Sequence, residues 1–249
     1  MIKTLYANGC SWTVGNGLPE DINFPSTGNH GSDLALAQDY TWPSIIAKKL
    51  SCDVVNDAEG GGSNKRILRT TCNYLMDYPK EKYNELLVMI GWTSIERDEI
   101  YIQDEWHKFN ARQDFSTYSG HNLDSNTVKN ISEYQKMYVT NVYHQEANLV
   151  YYFQQLYLLS NLLENLGIKY IFFNGLSTHK FHSTVLDLNR FKERLEKIKT
   201  PSMLTETAFS IFCHEKKLPL STCMHPMIEA QAVWAEYLYN NLTTVYTTL

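Results

Sequence analysis

Short apolar runs alternate along the chain with stretches of helical period, the pattern of a parallel sheet joined by crossover helices. Ile2 to Ala7 reads as a first strand ending at Asn8-Gly9, and Asp53-Val54-Val55-Asn56 as a second. Leu86-Leu87-Val88-Met89-Ile90 is apolar at every position, as a strand covered on both faces should be, and it stops on Gly91. Ile168 to Phe173 repeats that pattern and ends on Asn174-Gly175. Between the strands, Trp42-Pro43-Ser44 opens a short helix ending near Leu50, after a polar loop over about residues 14–39. Ser63 is placed to cap a helix whose apolar stripe is Ile67, Leu68, Cys72, Leu75 and Met76, stopped by Asp77-Tyr78-Pro79.

A long helix is expected from about residue 137 to Leu166, closed by Gly167. Weaker helical patterns cover about 184–197 and 202–216, and His225-Pro226 is read as the start of a last helix through Trp234, Tyr237 and Leu238. Residues 98–135 show neither period and are read as an irregular, lid-like insertion. No repeat or low-complexity linker divides residues 1–249. The prediction is one α/β domain, a three-layer α/β/α sandwich with a mostly parallel sheet of about five strands.

Bulk properties narrow the function classes. A formal net charge of -5 argues against nucleic acid or an anionic membrane as the main partner. No stretch approaches the roughly 18–20 apolar residues of a membrane span, and Met1 leads straight into a short run without the core of a signal peptide. A cytoplasmic location follows as the expectation. The 5 cysteines are odd in number and form no C-x-x-C pair, which fits a reducing compartment better than a disulfide framework. His30, His107, His121, His144, His179, His182 and His214 have no metal-ligand spacing, so neither metal nor cofactor is expected. Composition says nothing of the oligomeric state.

Open α/β sheets build their sites at the C-terminal ends of the strands. Here those ends carry Gly9-Cys10-Ser11, then Gly60-Gly61-Gly62-Ser63-Asn64, then Gly91-Trp92-Thr93-Ser94, and His225-Pro226 lies near the C-terminus. A serine hydroxyl becomes a nucleophile when a base takes its proton, and His225 can be that base. Glycine loops at helix starts expose N–H groups that can hold an oxyanion. The glycines at 60–62 fit no dinucleotide fingerprint, because Lys65 fills its last place, and no phosphate-loop pattern occurs.

In order and spacing these segments resemble the four blocks of the SGNH (GDSL-type) hydrolases, flavodoxin-like esterases, lipases and carbohydrate deacetylases. The resemblance implies Ser11 as nucleophile and His225 as general base. It implies an oxyanion hole of the Ser11 N–H, the Gly61 N–H and Thr93, with Gly62 and Asn64 as accessory positions. Asn56 belongs to the same second block. The implied substrate is a small acyl ester or an O-acetylated glycan. Two departures stand out. Thr93 occupies the place of the family's asparagine donor, and Thr222 and Cys223 occupy the places where its orienting aspartate is found. Either loss can cost orders of magnitude in rate, about 10²–10³ for a donor and about 10⁴ for the acid.

A second reading therefore stays open: a binding or structural protein that keeps the fold with a disabled site. Uncharacterised SGNH-like proteins of bacteriophage genomes, which this chain also resembles, allow a virion-associated role. Several residues have two readings. Ser11 is either a nucleophile or a helix cap, and Asn64 either an amide aimed at the site or an exposed cap. His225 is either a base or the cap of the last helix. Cys10 is read as packing. Arg97 is read as bracing the third loop through a charge pair or lying on a solvated face, and is left out of the site. The aromatic residues Tyr101, Trp106, Phe109, Phe115 and Tyr118 either line a carbohydrate groove or pack a long loop.

Overall fold

Successive side chains of a strand point to opposite faces, and in this chain that alternation splits the core in two. In a computed structural model of the protein, the strands of the main sheet are β1 (Thr4–Asn8), β2 (Asp53–Asn56), β3 (Leu86–Trp92), β6 (Lys169–Asn174) and β7 (Met203–Ala208). The structure describes residues 1–21, 23–27, 30–102, 104–111, 124–176, 193, 196–198 and 200–247. The sheet order is β2-β1-β3-β6-β7 and every pairing is parallel. Counted within the sheet alone this is the flavodoxin-like order.

Leu5, Ala7, Leu87, Met89, Ile171 and Phe173 face one layer. That layer is built of α3 (Trp42–Leu50), α7 (Phe209–Glu215) and α8 (Ile228–Val245). Tyr6, Val88, Ile90, Tyr170 and Phe172 face the other, built of α4 (Asn64–Asp77) and α6 (Gln145–Asn165). β3, central in the sheet, is buried at all seven positions, as its unbroken apolar run requires. Ser63 Oγ accepts the Arg66 N–H at 3.0 Å and caps α4. Gly167, at φ +69°, ends the chain's passage out of α6 in the left-handed conformation that glycine tolerates best. Among the described residues no helix is long and apolar enough to cross a membrane.

Four expectations are corrected. The helix expected from about 137 is two helices, α5 (Ser125–Asn141) and α6, broken where His144 Nδ1 caps the second by accepting the Ala147 N–H. The irregular insertion is ordered where it is described. β4 (Arg97–Ile102) and β5 (Glu105–Asn110) form an antiparallel hairpin, and Phe109, Ile131 and Tyr138 make a small core between hairpin and α5. Residues 203–208 are the sheet's edge strand, with the helix confined to α7. The last helix starts at Ile228, capped by Met227, since Pro226 is held in a bridge with Leu220. The helix expected near 184–197 falls largely outside the described residues.

The loop expected over 14–39 follows α1 (Ser11–Val14) and contains a 3₁₀ turn at Leu18–Glu20 and α2 (His30–Ala37). The hairpin is bolted to α4 by Arg69, which binds Glu99 through two nitrogens at 3.0 and 2.8 Å and lies 4.1 Å over the Trp106 ring.

Trp234 is fully buried and stacks on Phe209 at 4.6 Å between ring centres, with Phe173 and Phe212 edge-on around it. Trp234→Ala removes the centre of that layer and is expected to lower unfolding free energy by about 3–5 kcal/mol in urea titration.

Candidate functional site

The site is assembled where glycines let three loops touch. A Cβ on Gly9 would sit 3.0 Å from the Gly91 carbonyl oxygen, and one on Gly62 would sit 3.3 Å from the Gly9 oxygen. The loops after β1, β2 and β3 therefore pack backbone to backbone. Asn8 fixes the exit from β1: its buried Oδ1 accepts the Gly9 N–H at 2.8 Å while Nδ2 donates to Thr70 Oγ1 at 2.8 Å. Ser11 then occupies the first turn of α1 and is buried. Cys10, extended and buried in the core, holds the cap position, so Ser11 does not cap its helix. At the first position of the helix its N–H has no intrahelical acceptor.

Across the junction the Gly62 N–H donates to the Glu59 carbonyl at 2.9 Å, and Gly61 has φ +76°. This is the geometry of a type II turn, which needs a left-handed residue at its third position. The turn uses the Gly62 N–H and leaves that of Gly61 outside it. The turn is clamped from the hairpin by Lys108, which reaches both Glu59 and the Gly60 carbonyl, and from α4 by Arg66, whose Nε lies 2.6 Å from Glu59.

Asn64 is buried, not the exposed cap that was one of its two readings. Its amide clamps Thr93 in both directions, Nδ2 donating to the Thr93 carbonyl at 3.0 Å and Oδ1 accepting the Thr93 N–H at 2.8 Å. With the backbone so engaged, only the Thr93 hydroxyl remains for chemistry. Arg97 Nη1 donates to that oxygen at 3.0 Å, which turns the hydroxyl hydrogen away from the guanidinium. Of the neighbouring carboxylates, Asp98 and Glu99 pair with Lys65 and Arg69, and Glu96 accepts from the Ser94 hydroxyl. Among the described residues no carboxylate lies within ion-pair distance of Arg97.

His225 enters on the loop before α8. Its ring lies 6.5 Å from that of Trp12, and its backbone packs on Gly17, where a Cβ would come within 2.8 Å of the His225 carbonyl oxygen. Gln231 ties the same region down, donating to the Trp12 carbonyl at 2.9 Å. Nδ1 of His225 is 2.9 Å from Cys223 Sγ, leaving Nε2 as the nitrogen that can act as base. Burial holds the imidazole below its ordinary value, and the Arg97 charge lowers it further. His225 is not the cap of the last helix, a role taken by Met227.

Residues 29–243 match the model of a family described as "Family of unknown function (DUF6071)". The chain belongs to this family. The matched stretch of DUF6071 contains Gly61, Thr93, Arg97 and His225, while Ser11 precedes it. No curated protein matches the sequence. Solved structures share the fold. TesA is 13% identical with a TM-score of 0.52, over 98% of this chain and 100% of that one. The psychrotrophic esterase EstA from Pseudoalteromonas sp. is 11% identical with a TM-score of 0.51, over 97% of each chain. The acetyl xylan esterase Est2A from Butyrivibrio proteoclasticus is 12% identical with a TM-score of 0.51, over 97% of this chain and 64% of that one. The likeness is one of architecture, an α/β sandwich shared with these proteins.

Two site residues of this DUF6071 chain escape sequence reading. Arg97 looks paired because it is flanked by acids, and only the fold shows those acids engaged elsewhere. Glu20 lies 202 positions from Thr222, yet accepts its N–H at 2.8 Å and its hydroxyl at 2.6 Å. Of the aromatic insertion, Phe109 is core, while Tyr101 and Trp106 form an exposed pair 5.2 Å apart. Phe115 and Tyr118 lie outside the described residues.

His225 is expected to titrate below the ordinary histidine value of about 6.5. Removing the Arg97 charge relieves one of the two depressions, so Arg97→Gln should move the midpoint upward. NMR titration of the imidazole checks both; a midpoint above 6.5 in the parent protein contradicts this electrostatic picture.

Proposed function

We propose that the protein is a serine ester hydrolase acting on small acyl esters, with an O-acetyl group on a glycan as the preferred substrate class. The observation that carries the reading is the packing of the β1, β2 and β3 loops into one junction, with His225 oriented by its Nδ1 contact. Ser11 Oγ attacks the acyl carbonyl while His225 Nε2 takes its proton. The oxyanion is received by the N–H groups of Ser11 and Gly61 and by the Thr93 hydroxyl. The imidazolium then protonates the leaving alkoxide, and a water molecule, deprotonated by the same nitrogen, attacks the acyl-Ser11 ester and releases the acid.

Thr93 replaces the donor that the family resemblance would make an asparagine. Arg97 compensates in part. By donating to Thr93 Oγ1 it polarises the hydroxyl, and a hydrogen bond whose donor leans on a cation is stronger than a neutral one. The depressed His225 keeps its neutral, basic form below neutral pH. The preference for an acetylated glycan draws on the name of the Butyrivibrio proteoclasticus relative in fold. It also draws on the exposed Tyr101–Trp106 pair, a surface of the kind on which sugar rings pack.

Hydrolysis of 4-nitrophenyl acetate and release of acetate from acetylated xylan test the reading. Ser11→Ala should lower kcat/KM by at least about 10³-fold, and Thr93→Val, which keeps the shape but loses the hydroxyl, by about 10²-fold. Turnover that survives Ser11→Ala unchanged would overturn the proposal and leave the binding or structural reading.

A further inference from the structure

The position where the family resemblance would place an orienting acid holds no acid in this chain, but His225 Nδ1 is not empty-handed. Cys223 Sγ lies 2.9 Å from it, and the same sulfur lies 3.3 Å from Glu20 Oε1. We propose that Cys223 and Glu20 together replace the missing aspartate, the thiol passing the orienting contact of the Glu20 carboxylate on to His225. The inference rests on the serine hydrolase reading for its kinetic consequences, and on hydrogen-bond valence for its geometry.

Hydrogen-bond valence fixes the direction of each bond. A carboxylate can only accept, and a thiol has one proton. Glu20 is held ionised: hydrogen bonds from the Thr222 hydroxyl and N–H, and then from Cys223, keep its carboxyl below the usual range. The Cys223 proton therefore points to Glu20. The sulfur can then only accept from the imidazole, and Nδ1 carries the hydrogen. That is the tautomer that leaves Nε2 bare to receive the Ser11 proton. Ser221 completes the support, with its Oγ 3.1 Å from the sulfur and accepting the His225 N–H at 3.2 Å.

Glu20 is presented by the 3₁₀ turn Leu18–Glu20, and the next residue, Asp21, accepts the Ile228 N–H at 2.9 Å at the start of α8. With Gly17 under His225, this segment grips both sides of the histidine loop. No proton travels to Glu20 during turnover; its charge faces the imidazolium through the polarisable sulfur. Glu20 and Cys223 are both exposed, so that charge is screened by water. The main effect is the choice of tautomer and ring angle. The charges that bear on the imidazole are Arg97, which repels the protonated ring, and Glu20, which favours it, and a hydrogen bond to the Cys223 backbone favours the protonated ring as well.

Cys223 and Glu20 act through His225 and are positioning residues. Cys223→Ala should lower kcat for 4-nitrophenyl acetate by about 10²-fold with KM little changed, since a misheld general base loses most of its contribution. Cys223→Ser keeps a donor and an acceptor at the branch and should stay within about 5-fold of the parent. Glu20→Gln should cost about 10-fold in the parent and almost nothing in the Cys223→Ala background, because its effect runs through the sulfur.

The second readout does not need activity. ¹⁵N NMR of neutral His225 should show the Nδ1–H tautomer in the parent and in Cys223→Ser, and a shift towards Nε2–H in Cys223→Ala. A parent that is already Nε2–H, or a Cys223→Ala variant that keeps both tautomer and kcat, would overturn the relay. If Ser11-dependent turnover is absent while the tautomer responds as expected, the relay stands and the hydrolase reading falls.

Discussion

A Cβ on Gly9 would run into the Thr13 side chain and the Gly91 carbonyl, and one on Gly62 would press on the Glu59 and Gly9 carbonyls, and this crowding governs how the loops meet. Three parallel strands would otherwise end about one strand spacing apart, and their loops would be separated by side chains. Stripped of Cβ atoms, the loops close to backbone contact, and polar groups take over the positioning. Asn8 fixes the turn before Ser11, Asn64 fixes Thr93, and Arg66 and Lys108 fix the turn that carries Gly61. Each of these side chains comes from the sheet, from α4 or from the hairpin, so a functional loop is held by regular structure. Ser11, Gly61 and Thr93 are then held in place by polar contacts of their neighbours, which cost free energy if broken and so resist drift.

The fourth segment is held differently. His225 reaches the site on an exposed loop, and what restrains it is the Gly17–Asp21 stretch, far away in sequence. Backbone packing on Gly17 sets its place, and the Cys223–Glu20 contacts set its ring. Electrostatically the histidine lies between two opposing influences. Arg97 and burial favour the neutral ring, while Glu20 favours the protonated one. Burial and Arg97 outweigh Glu20, so the imidazole is held below its ordinary value. Arg97 has a double place in the account, acting on Thr93 by hydrogen bonding and on His225 through its charge.

Much of the fold is legible in the sequence because the core strands are short, apolar and ended by glycine or asparagine. Leu86 to Ile90 could be little else. The misread parts share a physical cause: the deciding interaction lies outside the local window. Met203 to Ala208 contains good helix formers, and becomes a strand because β6 offers it an edge. No glycine or proline marks the break between α5 and α6, where the His144 side chain caps the second helix instead. The hairpin over 97–110 looks irregular because its inward residues pack on a helix, not on the main sheet. In the site, the positions of Ser11, Gly61, Thr93 and His225 follow from strand ends and residue type. Arg97 and Glu20 do not, since each is defined by a partner that only folding brings near, while Asn64 is legible as an accessory position with its burial left open.

If Ser11 is a nucleophile activated by His225, a fluorophosphonate probe followed by peptide mapping will report it. One adduct is expected, on the peptide containing Ser11, absent in Ser11→Ala and formed much more slowly in His225→Ala. No adduct on the folded protein, or one that persists in Ser11→Ala, would contradict it.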